Sequence, residues 1–227
     1  RQTLRKTDVL GIDQIRSQED ANKKVQERIR PIRLLADAFV GALMTDPKSG
    51  TKWTEKREER LNAILGQYAE FVRSATRDPE SVDPAELDKI QRDVQRDLNV
   101  DLPATLPDRR PFHWALEFPE VFQQGGFDAI CGNPPFIGGS KITGSFGTAY
   151  RNYIISVIAD GAKGSADLVA YFHLRAFQLL RAGGVYGLFA CNTIAEGDTR
   201  QVGLERLASP ELGGVIISAQ PNLRWSG

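Results

Sequence analysis

The chain has 227 residues, and its 29 Lys plus Arg are balanced by 29 Asp plus Glu, so no net field marks it as the partner of a polyanion. That balance weighs against a stand-alone nucleic-acid binder, which usually carries a basic surplus. It leaves room for a nucleic-acid enzyme whose basic recognition part lies elsewhere. The length suits one sizeable core with a helical appendage. No apolar run is long enough to span a bilayer and no signal-peptide core stands behind Arg1, so a cytoplasmic protein is expected. Cys131 and Cys191 lie in apolar strand-like runs and read as buried, reduced thiols. Neither has the neighbouring ligands a metal would need, and no metal is expected. The chain opens without a methionine and closes just after a strand-like run, and it is read as a piece of a larger polypeptide.

Charge divides the chain near residue 110. Residues 1–110 carry 21 basic and 20 acidic side chains and 111–227 carry 8 and 9, so the first part is read as a polar, helical region. Ile15, Val25, Ile29, Ile32, Leu35, Phe39 and Leu43 recur at helical spacing over 14–45. Pro31 is expected to start a new helix there, with Ala36, Phe39, Val40 and Leu43 as its buried face. A turn at 46–50 precedes a helix over 54–74, capped by Thr54 and apolar at Leu61, Ile64, Leu65, Tyr68 and Val72. A third helix, 84–98, has Pro84 in its first turn and Leu87, Ile90, Val94 and Leu98 on one face. The block at about 50–100 is read as an accessory insertion projecting from the central sheet. Four prolines keep 99–126 from forming a long helix, and the aromatics of 112–122 are expected to pack on a sheet. Gly11-Ile12-Asp13 could end a strand, which makes Asp13 a weak candidate for binding a ribose.

The second part, 111–227, alternates strand and helix. Phe127 to Cys131 reads as a short buried strand, 137–149 as a flexible loop, and Tyr150 to Ala159 as a helix. Asp167 to Arg181 reads as a helix stopped by Gly183-Gly184. Val185 to Cys191 reads as a strand covered on both faces. A helix near 201–208 and a strand at Gly213 to Ser218 follow. This order implies an α/β fold with a parallel sheet and ligands at the carboxyl ends of its strands.

Asn133-Pro134-Pro135-Phe136 falls at such a strand end. Its groups suit a flat heterocycle carrying an exocyclic amine. The Asn133 amide oxygen and the Pro134 carbonyl can each accept one amino hydrogen. Those bonds strengthen as positive charge develops on the nitrogen, so they favour the transition state over the ground state. The prolines hold the acceptors in place, and Phe136 can stack on a base that has left its duplex. The bland alternative is a sharp turn with Phe136 folded back into the core.

Several segments carry a family resemblance. They are Phe112-His113-Trp114 through Phe122, Gly126-Phe127-Asp128-Ala129-Ile130 leading into Gly132-Asn133-Pro134-Pro135-Phe136, and Asp167-Leu168-Val169-Ala170-Tyr171-Phe172. Leu180 to Gly187 and Asn192 to Arg200 extend it. The chain resembles the adenine-N6, class I S-adenosylmethionine-dependent DNA methyltransferases, of the large single-chain restriction-modification type. The resemblance covers 111–227 strongly and 28–45 weakly. It implies a partial Rossmann-like methyltransferase sheet, with 111–227 as the C-terminal part of the catalytic core. It further implies Asn133, Pro134, Pro135 and Phe136 as catalytic residues, and S-adenosylmethionine as cofactor beside Asp167 and Tyr171. The implied partners are double-stranded DNA with a flipped adenine, a recognition domain and a nuclease domain of the same polypeptide. The family's Gly-x-Gly cofactor loop is not found before Asn133, so the main binding loop is expected outside this chain and the segment alone is expected to turn over little. A protein-glutamine or RNA-amine acceptor, and a non-catalytic DNA- or partner-binding remnant, are the competing readings.

Overall fold

The computed structural model describes residues 12–46, 54–78, 82–162 and 164–221. Three helices come first: α1 (Ile12–Met44), α2 (Glu55–Arg77) and α3 (Pro84–Leu98). Thr54 caps α2 through its backbone carbonyl, which accepts from the Arg57 and Glu58 amides, and its side chain makes no capping bond. Asp83 caps α3 with its carboxylate on the Ala85 amide at 2.9 Å, one residue ahead of Pro84 at the first helical position. Both α2 and α3 pack on α1.

Two expectations for α1 are corrected. Pro31 starts no new helix; α1 runs straight through it. A proline removes one amide from the helix ladder, and here the turns beyond it are held by packing on α2 and α3. The buried face is also rotated from the expected one. Leu34, Ala38, Ala42 and Met44 are buried, whereas Ala36, Phe39, Val40 and Leu43 are half-buried. The small residues let α3 approach closely: a Cβ at Gly41 would lie 3.1 Å from that of Asp97.

The connector carries two short helices, α4 (Trp114–Glu117) and α5 (Pro119–Gln123). His113 Nε2 meets Asp37 Oδ1 at 2.7 Å and Arg33 pairs with Glu117 at 2.5 Å, fastening the connector to α1. The rings do pack on a strand. Trp114, Phe118 and Phe122 all meet Phe127 edge-on, with centroids 5.5, 5.7 and 5.9 Å away.

The sheet has two parallel strands, β1 (Phe127–Gly132) and β2 (Leu180–Leu188), joined by a helical crossover. The crossover contains α6 (Gly139–Phe146), α7 (Thr148–Tyr153) continuing as a π turn to Ile158, and α8 (Leu168–Leu179). The segment 137–149, expected as a flexible loop, is therefore mostly helical. Gly183 and Gly184 do not stop α8, which ends at Leu179 as the strand begins. They lie in a bulge of β2, where the register passes from Phe127↔Leu180 to Ala129↔Val185. A Cβ at Gly184 would stand 2.8 Å from the Phe127 carbonyl oxygen, so only glycine fits that approach.

Burial alternates along the second half of β2. Gly184, Tyr186 and Leu188 are half-buried while Val185 and Gly187 are exposed, and Cys131 and Cys191 are exposed free thiols rather than buried ones. On β1, Phe127 and Ile130 point to opposite faces and both are half-buried, Phe127 beneath the connector's rings. Residues 213–218, expected as a strand, have no strand partner among the described residues; Val215 and Ile217 stand 83% and 82% exposed. After β2 come a 3-10 turn (Asn192–Ala195) and α9 (Gly197–Arg200), which continues as a π turn through Glu205. This last helix begins earlier than the expected 201.

Two apolar clusters hold these parts. One joins Ile142, Ile154, Ile155, Leu168, Tyr171, Leu174, Val202 and Leu207; the other joins Leu34, Ala38, Met44, Val94, Leu98 and Ala149. Tyr150 and Tyr153 pack against both, so the helical block meets the crossover through α7. Among the described residues no helix is long and apolar enough to cross a membrane. Leu98→Ala, at a site 2% exposed, should lower the unfolding free energy by about 3 kcal/mol. Urea denaturation of the purified protein reads this directly.

Candidate active site

The Asn133–Phe136 segment leaves the carboxyl end of β1 and is held at both flanks. The Gly132 carbonyl accepts the Phe189 amide at 3.1 Å, and the Ile137 carbonyl accepts the Leu168 amide at 2.9 Å. The first bond extends the strand ladder past the end of β2, and the second joins the segment to the first residue of α8. Between these two pins the side chains divide. Pro134 is buried, whereas Asn133, Pro135 and Phe136 are exposed. Phe136 shows 52% of its surface, which disposes of the reading in which it folds back into the core. An exposed ring next to an exposed amide on a pinned backbone is an arrangement that can take a planar, amine-bearing group.

Helix α6 follows at once and is also secured at both ends. The resemblance implies Asp167 as a residue beside the cofactor, and the residue stands at the start of α8. Its carboxylate makes no cap on α8. Oδ1 instead accepts the Gly139 amide at 2.8 Å, at the first turn of α6. Gly139 itself is wedged against the 165–166 backbone, where a Cβ would lie 2.0 Å from the Ser165 carbonyl oxygen. At the other end, the Arg109 guanidinium donates to the Phe146 carbonyl at 2.5 Å and to the Leu98 and Val100 carbonyls at 2.6 and 2.7 Å. One cation thus serves the carboxyl ends of α6 and α3 together, where the helix dipole favours positive charge. Asp101 Oδ2 accepts the Ala149 amide at 2.8 Å and so caps α7.

The cofactor candidates fare differently from one another. Asp167 is half-buried, and its Oδ2 accepts no hydrogen bond among the described residues, so one oxygen remains able to take a donor. Its backbone amide donates to Thr199 Oγ1 at 3.1 Å, and Asp198 Oδ2 accepts the Ser165 amide at 2.6 Å. The turn before α8 is therefore gripped by α9. Tyr171 is 4% exposed and sits in the core, where burial raises its hydroxyl pKa; Phe172, its neighbour, is 38% exposed. Asp13 lies in α1, not at the end of a strand, and its side chain is outside the described residues. Sequence reasoning missed Phe189, Arg109 and Thr199. All three act across long sequence separations through backbone groups or helix ends, and no motif marks such contacts.

Beneath the sheet, His173 Nδ1 meets the Tyr186 hydroxyl at 3.2 Å, while the buried Nε2 has no hydrogen-bond partner among the described residues. Burial lowers the His173 pKa below its ordinary value and pushes Tyr186 up to about 12. Helix α8 thus meets β2 through the His173–Tyr186 pair.

Residues 51–207 of the chain match the Eco57I restriction-modification methylase family, and the chain belongs to that family. Its activity is S-adenosylmethionine-dependent methylation of adenine N6 in DNA, as part of restriction-modification systems. No curated protein and no solved structure matches the chain.

Two outcomes follow from the site's geometry. Asp167→Ala removes the acceptor for the Gly139 amide and should cost about 1 kcal/mol of stability, whereas Asp167→Asn retains an oxygen there and should cost less. Denaturant titration of both variants separates them. His173 titrates with a lowered folded pKa, so its stabilisation is complete above the unfolded value of about 6.5 and is lost as pH falls below it. The melting temperature between pH 7.5 and 5.5 should fall less in His173→Phe than in the unaltered protein.

Proposed function

We propose that this adenine-N6 DNA methyltransferase receives its target adenine, flipped out of double-stranded DNA, on the Asn133–Phe136 segment. The observation that carries the reading is the pinned loop at the end of β1, with the Asn133 amide and the Phe136 ring both presented outward. S-adenosylmethionine supplies the methyl group when bound. Asn133 Oδ1 and the Pro134 carbonyl accept the two amino hydrogens and turn the nitrogen lone pair away from the ring. Their bonds to the nitrogen strengthen as it gains positive charge. Pro134, buried, and Pro135 restrict the backbone that carries both acceptors. Phe136 stacks on the base and replaces the neighbours lost on leaving the duplex.

The cofactor is assigned to the first turn of α8, where the open Oδ2 of Asp167 can accept a hydroxyl or amino hydrogen. Tyr171 backs that turn from the core, and Asp13 is carried as a third candidate. The main cofactor loop, a recognition domain that selects the DNA sequence and a nuclease domain are assigned to the same parent polypeptide, outside this chain. In that setting β1 and β2 belong to a Rossmann-like sheet, residues 111–227 form the C-terminal part of the catalytic core, and 1–110 form a helical region carrying the insertion. A DNA substrate supports a cytoplasmic location.

In the full-length protein, Asn133→Ala should lower the methylation rate about a hundredfold, or roughly 3 kcal/mol, with the fold retained. Phe136→Ala should weaken capture of the extruded base by about 1–3 kcal/mol, and Phe136→Tyr or Phe136→Trp should recover most of it. Methyl incorporation at saturating cofactor into matched and mismatched duplexes separates the two roles. Near-normal turnover by Asn133→Ala would reduce the tetrapeptide to a structural turn.

A further inference from the structure

We infer that the outer face of α6 is a contact surface for DNA phosphates flanking the target base. The inference rests on the assignment of the target adenine to Asn133–Phe136 and adds the surface that holds its strand. Within α6, Gly139 and Ile142 are buried, and Phe146 is half-buried on the same side. The opposite face shows Ser140, Lys141, Thr143 and Gly144, all exposed. Lys141 makes no ion pair with any described residue. It stands five residues past Phe136, at most about 18 Å of chain. Duplex DNA carries one phosphate charge per roughly 1.7 Å of its axis, so several phosphates fall within that reach of a base held on Phe136.

Charge along this stretch favours a polyanion. From Asp128 to Asp160 the intervening chain holds no Asp or Glu, although the protein carries 29 of them in 227 residues, and its only charges are Lys141 and Arg151. A neutral overall composition therefore hides a stretch, 129–159, that includes Asn133–Phe136 and α6 and carries no acid of its own. The hydroxyls of Ser140 and Thr143 and the Lys141 ammonium are donors of the type that position DNA through its phosphates.

Gly144 adds a steric argument. Glycine weakens a helix interior, and a Cβ at Gly144 would meet nothing within 4 Å, so internal packing does not explain it. Close approach by an outside backbone would. Gly66 in α2 has equally open surroundings, but that helix mixes Glu55, Glu58, Glu59 and Glu70 with its basic residues and does not follow the Asn133–Phe136 segment, so the argument rests on where Gly144 stands. The glycine and a helix with no Asp or Glu of its own coincide in α6, whose two ends meet Asp167 and Asp101.

The test uses the full-length protein and a methylatable duplex. Lys141→Gln should raise the KM for DNA three- to tenfold with kcat within twofold, and Lys141→Arg should restore it. The slope of log KM against log salt should become shallower by roughly 0.9, the contribution of one phosphate contact. Gly144→Ala should raise the melting temperature yet also raise the KM for DNA. An unchanged KM or salt slope in Lys141→Gln would overturn the phosphate contact, and a KM rise not rescued by Lys141→Arg would assign it to disturbed folding. A Gly144→Ala protein that is more stable with its KM unaltered would remove α6 from the DNA surface. Absence of DNA methylation by the unaltered protein would instead strike the functional reading itself, and the inference would fall with it.

Discussion

The contact between the Asp167 carboxylate and the Gly139 amide is the one on which the site depends. It joins the residue that opens α8 to the residue that opens α6, across a gap of 28 positions. The adjoining Leu168 amide, bonded to the Ile137 carbonyl, makes the same junction a second time. These bonds fix the exit of the Asn133–Phe136 segment, while the Phe189 amide on Gly132 fixes its entry. A backbone fixed at entry and exit, with prolines between, needs little reorganisation when a ligand is bound. That is the condition under which hydrogen-bond acceptors help a transition state.

The same logic extends outward. Thr199 and Asp198 hold the turn ahead of α8, so the polar residues after β2 support the loop after β1 without touching its exposed groups. Arg109 reaches the far end of α6 from the connector, and Tyr150 and Tyr153 join the two apolar clusters. The helical block is thereby coupled to the helix that follows Asn133–Phe136. A charged block with no candidate chemistry of its own becomes a buttress for α6.

Parts of this arrangement were legible in the residues. The three-four spacing of Leu87, Ile90, Val94 and Leu98 gave a helix with that buried face, because a period near 3.6 admits few alternatives. The strand before Asn133, the helix after Asp167 and the parallel order came from apolar runs separated by helical pattern. The errors share a cause. Gly183-Gly184, Gly138-Gly139 and the Ser/Thr-rich stretch to Thr148 were read as stops and loops on local propensity. In the fold Gly184 and Gly139 are instead places where another backbone comes too close for a Cβ, and α6 is stabilised by caps from distant residues. Residues 213–218 had the composition of a strand but lack a described partner, and a strand exists only through its neighbour's hydrogen bonds.

The sequence by itself determined which functional groups follow β1 and in what order. An amide, two prolines and an aromatic after an apolar strand specify acceptors on a stiff backbone beside a stacking surface, since those properties belong to the residues and their order. Only the tertiary structure decided that Phe136 faces outward, that Asp167 spends one oxygen on α6 and keeps the other open, and that Tyr171 is core. Each outcome depends on which backbone groups meet across 28 or more residues, and periodicity along a chain holds no information about such meetings.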